Sequence, residues 1–340
     1  KDRIEQKLAG RHLSDGSLAL FDMTSSYVEG SSSELAEFGY SRDKKRGKAQ
    51  VNWGLLTDSE GRPVALDVFP GNVRDSGTLL PQVRKLKDRF SLENFILVGD
   101  RGMITGKHIK ELHAEAGVDW VTALASQSIR PLVRSGVIQQ SLFEETNLFE
   151  IEHADYPGER LIACRNPVLG RKRAYVRAEL IAATVTELEK VRKLVLNGKL
   201  TDAGKIGVRV GRVVNNRNMQ KHFDLTIDTG VFEFEINQVS VTEEAAMDGL
   251  YIIRTSVSKE KMTAGEAVTA YKRLTSVERA FRTSKSLEMQ VRPIHHWLDD
   301  RVKTHLFICM LAYYVRWHMQ QAWKGITFQD DEKPKHTDPV

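Results

Sequence analysis

The segments LALFDMTSSYVEG (residues 18–30) and FILVGDRGM (residues 95–103) decide how this chain folds. Each is a short apolar run that ends at an acidic residue, Asp22 in the first and Asp100 in the second. Four apolar residues bounded by turn formers read as a buried strand, and the carboxyl ends of such strands are where α/β sheets build sites. For either aspartate alone, a turn or a helix cap is the other reading. Between them, VNWGLL (51–56) and VALDVF (64–69) are strand-like, and Asp58-Ser59-Glu60-Gly61 joins them as a hairpin. Leu79, Leu80, Val83 and Leu86 then recur at helical spacing, a second helix is expected to about Ala116, and residues 120–124 read as another strand. A hairpin followed by alternating helices and strands predicts a mixed α/β sheet with acidic residues at the ends of two central strands.

The character changes from about Ser126 to Met247. Polar loops surround one helical stretch near 177–196, and FDLTID (223–228) and VFEFEI (231–236) flank Thr229-Gly230 as a second hairpin. Residues 126–249 read as a partly β insertion dividing a core of 1–125 and 250–325, with 326–340 a polar tail. The second part of the core resumes at LYIIRTS (250–256) and turns helical at Thr263-Ala264-Gly265-Glu266, a capping-box arrangement. One long helix is expected to about Leu287. Another runs from near Leu298 to near Trp317, with Val302, Leu306, Cys309 and Met310 facing the core.

On the first of these helices Tyr271, Leu274, Glu278, Arg282 and Lys285 share a face. Leu274, Val277 and Phe281 make part of that surface apolar, so Glu278 is expected at the edge of the core, where a carboxylate needs a partner. Two metal ions held by three carboxylates would supply it and would neutralise both oxygens of a phosphoryl transfer. Magnesium prefers such hard ligands. A solvated charged face is the alternative.

Composition narrows the class of partner. The chain of 340 residues carries a formal charge of +5, with 41% hydrophobic and 28% charged residues. These are globular proportions, and no apolar run approaches the ~18 residues that span a membrane. A basic balance favours a polyanionic partner. Two cysteines, Cys164 and Cys309, and the polar opening KDRIEQKLAG point to a reducing cytoplasm rather than secretion, and a start at Lys1 suggests a fragment lacking an N-terminal region.

Asp22, Asp100 and Glu278, each in its own context, resemble the Asp, Asp and Glu of insertion-sequence transposases of the ribonuclease H-like DDE superfamily, specifically the insertion-sequence-four group. LFDMTSSYVEG (20–30) resembles the first-aspartate strand, and GYSRDKKRGKAQVNWGLLTDSEGRPVALDVFPGN (39–72) its following hairpin. LVGDRGM (97–103) resembles the second-aspartate strand, and residues 271–315, opening YKRLTSVERAFRTSK, resemble the glutamate helix and the segment after it. The resemblance implies a ribonuclease H-like mixed sheet flanked by helices, interrupted by an insertion, in a transposase that cleaves and transfers strands at the ends of an insertion sequence by cut-and-paste. It implies that Asp22, Asp100 and Glu278 are catalytic and hold two Mg2+ ions, with Mn2+ able to substitute, and that Tyr271 and Lys285 touch DNA near the cut. It also implies double-stranded DNA as partner, both transposon ends and target, a homodimer on paired ends, and a bacterial cytoplasmic location at the nucleoid.

The pattern departs at Leu274, where the family carries arginine, leaving Arg273 or Arg282 to take that phosphate contact. Arg42, Lys44, Lys45, Arg46 and Lys48 crowd one loop, and Arg279, Arg282, Lys285 and Arg292 surround Glu278; such charges neutralise phosphates, although simple solvation also accounts for the loop. A ribonuclease H-like nuclease or resolvase, or an inactive DNA-binding relic, are the competing readings. All five tryptophans, Trp53, Trp120, Trp297, Trp317 and Trp323, lie outside the expected insertion. Should a hairpin intermediate form around a flipped base, stacking would fall to Phe143, Phe149, Tyr156 or Tyr175.

Overall fold

The computed structural model describes residues 1–30, 32–143 and 146–327; most of the expected polar tail, 328–340, lies outside them. In chain order the elements are α1 (Asp2–His12), β1 (Leu18–Tyr27), β2 (Gln50–Thr57), β3 (Pro63–Pro70), α2 (Leu79–Arg84), β4 (Phe95–Val98), α3 (Gly106–His113), β5 (Val118–Ala123) and α4 (Ser126–Arg134). There follow β6 (Leu148–Ile151), β7 (Arg160–Arg165), α5 (Pro167–Leu196), α6 (Ala203–Asn216), β8 (Phe223–Asp228), β9 (Val231–Ile236), α7 (Gln238–Ala245) and β10 (Leu250–Thr255). The chain closes on α8 (Ala264–Lys272), α9 (Leu274–Ser284) and α10 (Asp299–Trp323). No helix among the described residues is long and apolar enough to cross a membrane.

Contacts gather the chain into two units. The first comprises Lys1–Ala125, Glu150–Ile162 and the chain from Ile252 onward. The larger sheet of the chain has the order β3-β2-β1-β4-β5-β10-β7-β6. β1, β2 and β3 are antiparallel neighbours, whereas β1, β4 and β5 run parallel. That 3-2-1-4-5 order with an antiparallel second strand is the ribonuclease H-like arrangement, and helices flank it as expected.

β1 lies between two neighbours and is covered on both faces, so Ala19, Leu20 and Phe21 are fully buried. Burying each large apolar side chain there contributes about 1.5–3 kcal/mol. The strand is longer than its apolar run: Thr24, Ser25, Ser26 and Tyr27 continue the ladder against Trp53, Asn52, Val51 and Gln50. Trp53 Nε1 donates to Ser26 Oγ (3.0 Å), which satisfies both polar groups inside the sheet. Asp22 therefore stands within a strand, not at its end. The expected strand-end site arises differently: β4 pairs with β1 only along Leu18–Leu20 and stops at Val98, so beyond Leu20 the strand keeps β2 but loses β4.

A second departure concerns the long glutamate helix. It divides at Arg273, where Ser276 N–H donates to Arg273 O (2.8 Å), an i→i+3 bond that tightens one turn. The break lets Ala267, Val268 and Ala270 of α8 and Leu274, Val277, Ala280 and Phe281 of α9 all reach the core. The capping box at Thr263 and Glu266 forms as expected, and α10 continues to Trp323, past the expected end near Trp317.

The second unit comprises Ser126–Phe149 and Ala163–Tyr251, so Glu150–Ile162 fall outside it and 126–249 is not one contiguous block. α5 starts at the Asn166 cap with Pro167 in its first turn, earlier than its apolar periodicity suggests. Leu188, Val191 and Val195 of α5 pack with Ile206, Val210 and Val214 of α6, and the hairpin β8–β9 adds Phe223 and Phe232 to this core. Gly230 closes that hairpin at a φ of 70°, a conformation glycine adopts without strain.

Gly54 faces Met23 across the β1–β2 ladder, and a Cβ there would stand 2.6 Å from Cε2 of the buried Phe21 ring. We expect Gly54→Ala to destabilise by about 1–3 kcal/mol. A thermal melt checks this, since that loss lowers Tm by several degrees; an unchanged Tm would mean that the ring can move aside.

Candidate active site

The registers bring the two aspartates together. Leu20 pairs with Val98, and Asp22 and Asp100 each follow that pair by two residues, close enough for the charge of Asp100 to act on Asp22. Asp100 sits in a tight turn whose shape it makes itself: its Oδ1 accepts from Met103 N–H (2.8 Å) and its backbone carbonyl accepts from Ile104 N–H (2.9 Å). Gly102 stands close against it, for a Cβ there would lie 3.5 Å from Asp100 Oδ1. Asp22 Oδ1 accepts from Met23 N–H (2.7 Å).

α9 supplies the third carboxylate by docking on the same sheet, with Phe281 edge-on to Trp53 at 5.0 Å between ring centres. Burial pushes the Asp22 carboxyl up to about 7, and the negative charges of Asp100 and Glu278 push the same way against the Met23 amide and Arg42. Asp100, Asp22 and Glu278 also add to the burial that raises the Tyr271 phenol, while Arg101 opposes them. In both shifts burial is the largest cause, and the charges of the acidic neighbours add to it. Glu278 itself is exposed. It does not lie at the edge of the core as the helix pattern predicts, because the neighbouring Val277, Ala280 and Phe281 take up the buried face; the group burdened by desolvation is Asp22.

Lys285 caps the end of α9 and turns back to β1. Its Nζ donates to Thr24 Oγ1 (2.6 Å), to the Ser25 carbonyl (2.5 Å) and to Asp43 Oδ1 (2.9 Å). Thr24 lies one pleat repeat, about 7 Å, beyond Asp22 on the same strand face. Asp43, with a side chain 1% exposed, also binds Arg292. Two cations on one buried carboxylate satisfy it, while burial pulls the Lys285 ammonium below its ordinary range.

The other expected residues fall in different places. Leu274, where the family has arginine, is buried. Arg273, Arg279 and Arg282 are exposed, and the charge of Arg279 opposes the burial that raises the Tyr313 hydroxyl of α10. Lys44, Lys45 and Arg46 are exposed on their loop, Lys45 over the Tyr27 ring at 5.7 Å. Arg42, Arg101, Thr24 and Asp43 are the functional candidates that sequence reasoning did not single out for this site. A signal existed only for Arg42, as one charge in a basic run. Arg42 reaches Asp22 electrostatically and pairs with Asp75, and both line a polar cavity of about 410 Å3 with Tyr40, Asn52, Arg74 and Gly102.

Three carboxylates suit a hard divalent cation by donor chemistry, and burial together with the charges of Asp100 and Glu278 raises the Asp22 carboxyl despite Arg42. Among the described residues, however, no three His, Cys, Asp or Glu side chains are gathered closely enough to form a metal cluster. The acids are neighbours, not a closed ligand shell.

Compared with known proteins, residues 13–315 match the family model described as a transposase DDE domain. No curated protein matches the chain by sequence. Among solved structures it is similar to a piggyBac transposase in a synaptic complex with hairpin DNA, at 10% identity and a TM-score of 0.44, over 94% of this chain and 51% of that one. The chain thus spans about half the length of that transposase. A likeness at that score adds nothing to the fold, which rests on strand order and register.

The Asp22 shift sets a pH dependence. Its pKa rises on folding from an ordinary 3.8 to about 7, so ionised Asp22 opposes folding. That penalty is absent below about pH 4, grows as pH rises, and is complete above about pH 7. In chelator, Asp22→Asn is expected to melt above the unsubstituted chain at pH 8 and to match it at pH 4. Equal melting at both pH values would show that Asp22 carries no such burden.

Proposed function

The chain belongs to the transposase DDE domain family, and from that premise we propose that it cuts DNA at the ends of an insertion sequence and transfers the cut strands, with Asp22, Asp100 and Glu278 as its catalytic carboxylates. What supports this reading is that the charges of Asp100 and Glu278 both act on Asp22, and those of all three acids on Tyr271. Two magnesium ions held by these acids, with manganese able to substitute, would neutralise the charge developing on the attacking and leaving oxygens.

The chain's own side chains supply the rest. Tyr271 can donate its hydroxyl to a phosphate oxygen beside the acids. Lys285, held to Thr24 and Asp43, fixes a cation one pleat repeat from Asp22, where it can meet the next phosphate. Arg273, Arg279, Arg282 and Arg292, with Lys44, Lys45 and Arg46, extend the basic surface to the flanking duplex. Because Leu274 is buried, we assign the family's arginine contact to Arg42, whose charge already reaches Asp22. The cavity lined by Tyr40, Arg74 and Gly102 lies beside the Asp100 turn and can admit the scissile strand.

We read the second unit as an insertion into this catalytic core, and two copies acting on paired ends as the working assembly. If second-strand cleavage passes through a hairpin, Tyr175 is the stacking partner we favour, since its side chain is 67% exposed. Phe143 and Phe149 pack on each other at 4.7 Å, and Arg254 covers Tyr156 at 5.0 Å.

Asp22→Asn, Asp100→Asn and Glu278→Gln should each reduce cleavage of element-end DNA by orders of magnitude while the chain still folds and binds DNA. Cleavage within tenfold of the unsubstituted chain would remove that residue from the site. Strand cutting without joining would instead indicate a nuclease of the same fold, and metal-independent binding without cutting an inactive relic.

Binding should depend steeply on salt, since the contacts proposed are mainly to phosphates. Titrations across salt concentrations should give a log–log slope that becomes shallower by about one when Arg46 is replaced by alanine. An unchanged slope would place the Lys44–Arg46 loop away from DNA.

A further inference from the structure

The cavity that Gly102 of the Asp100 turn helps to line contains an unmade hydrogen bond. Asn52 of β2, 2% exposed, lines the same cavity. Its Nδ2 donates to the carbonyls of Gly71 (3.2 Å) and Val73 (2.8 Å), which fixes the amide and leaves Oδ1 buried with no hydrogen-bond partner. A buried acceptor without a donor is costly, so one on a cavity wall points to a ligand that donates. An aromatic ring stands on the same cavity. Gln50 Nε2 donates to the Tyr40 carbonyl (2.9 Å) and to the Gly71 carbonyl (3.0 Å). Gly39 comes so near the second of these that a Cβ on it would stand 2.1 Å from the Gly71 oxygen. The backbone at Tyr40 is thereby held, yet Tyr40 is 84% exposed. Core packing does not account for a large ring left in solvent on a fixed backbone, whereas a base can stack on it. Two guanidinium groups complete the wall, Arg42 paired with Asp75 and Arg74 exposed.

We propose that this cavity binds one unpaired nucleotide of the strand that lies at the acids. Its base stacks on Tyr40, an amino group of that base donates to Asn52 Oδ1, and its phosphate meets Arg74. A volume of about 410 Å3 falls within the range of small-ligand sites, ~300–1,000 Å3, and a base-paired duplex is far too wide to enter. Adenine, cytosine and guanine each carry an amino donor, whereas thymine does not. Asn52 thus makes the pocket a reader of base chemistry beside contacts that are otherwise to phosphates. The proposal rests on DNA as the substrate, as proposed above, and adds which part of one nucleotide is recognised.

Fluorescence anisotropy in chelator, where no strand is cut, can compare a labelled duplex with a blunt end and the same duplex with a short single-stranded overhang of deoxyadenosines. The overhang should bind about tenfold more tightly, Tyr40→Ala should abolish that difference at unchanged Tm, and Tyr40→Phe should keep it. Replacing the overhanging adenines by purine, which has the same rings without the amino group, should weaken binding roughly fivefold. Equal binding of the two ends, a preference that survives Tyr40→Ala, or equal binding of adenine and purine would each overturn the proposal. A chain that reads the overhang this way but cuts no DNA would sink the function proposed above and leave this pocket standing, and a chain that cuts DNA without the preference would do the reverse.

Discussion

A carboxylate in the middle of a covered strand is an unfavourable thing to build, and the organisation of the catalytic unit follows from that constraint. Asp22 cannot withdraw, because the residues on both sides of it are locked in the β1–β2 ladder. Burial and two acidic neighbours hold its carboxyl up at about 7, so its charge is carried at a cost to the fold once it ionises. The Met23 amide and the charge of Arg42 relieve it. Sites that store strain of this kind give up stability for a prepared electrostatic environment, and a divalent cation is the natural relief.

The same strand turns to the opposite chemistry within two residues. Thr24 and Ser25 accept hydrogen bonds from Lys285, which buried Asp43 holds together with Arg292. An isolated buried ammonium would be costly, but one with three oxygen partners is satisfied and rigid. β1 thereby carries an acidic crevice and a fixed cation side by side. In the function we propose, that pattern would serve a phosphodiester, with relief for the reacting oxygens at one point and a counter-charge for its neighbour at the next.

The break at Arg273 shows how helix geometry serves both. In one straight helix Tyr271, Glu278 and Lys285 would share a stripe, and the apolar residues between them would compete for the core. Dividing the helix lets α8 and α9 bury separate faces. Tyr271 and Glu278 still reach the Asp22 crevice, and Lys285, just past the end of α9, is free to bend back to β1. Leu274, at the second helix's start, is drawn inward by this arrangement, which accounts for an apolar residue where the family carries arginine.

By itself the sequence determined what is local or periodic. The β2–β3 hairpin, the β4 strand with its Gly99-Asp100 turn, the capping box at Thr263 and the core stripe of α10 follow from turn chemistry and from spacings of 2 and 3.6 residues. The three candidate acids were read from their local contexts and from a family resemblance. Tertiary structure decided what depends on pairing across the chain. That Asp22 lies within a strand reflects a ladder of polar residues against β2, which no apolar run reveals. That Asp22 bears a desolvation cost depends on how the packed chain buries it. Asp43, in a loop that reads as merely basic, becomes the anchor of Lys285 through a contact spanning 242 positions of sequence. Local propensity carries no information about such partners, because burial and charge pairing are properties of the packed chain.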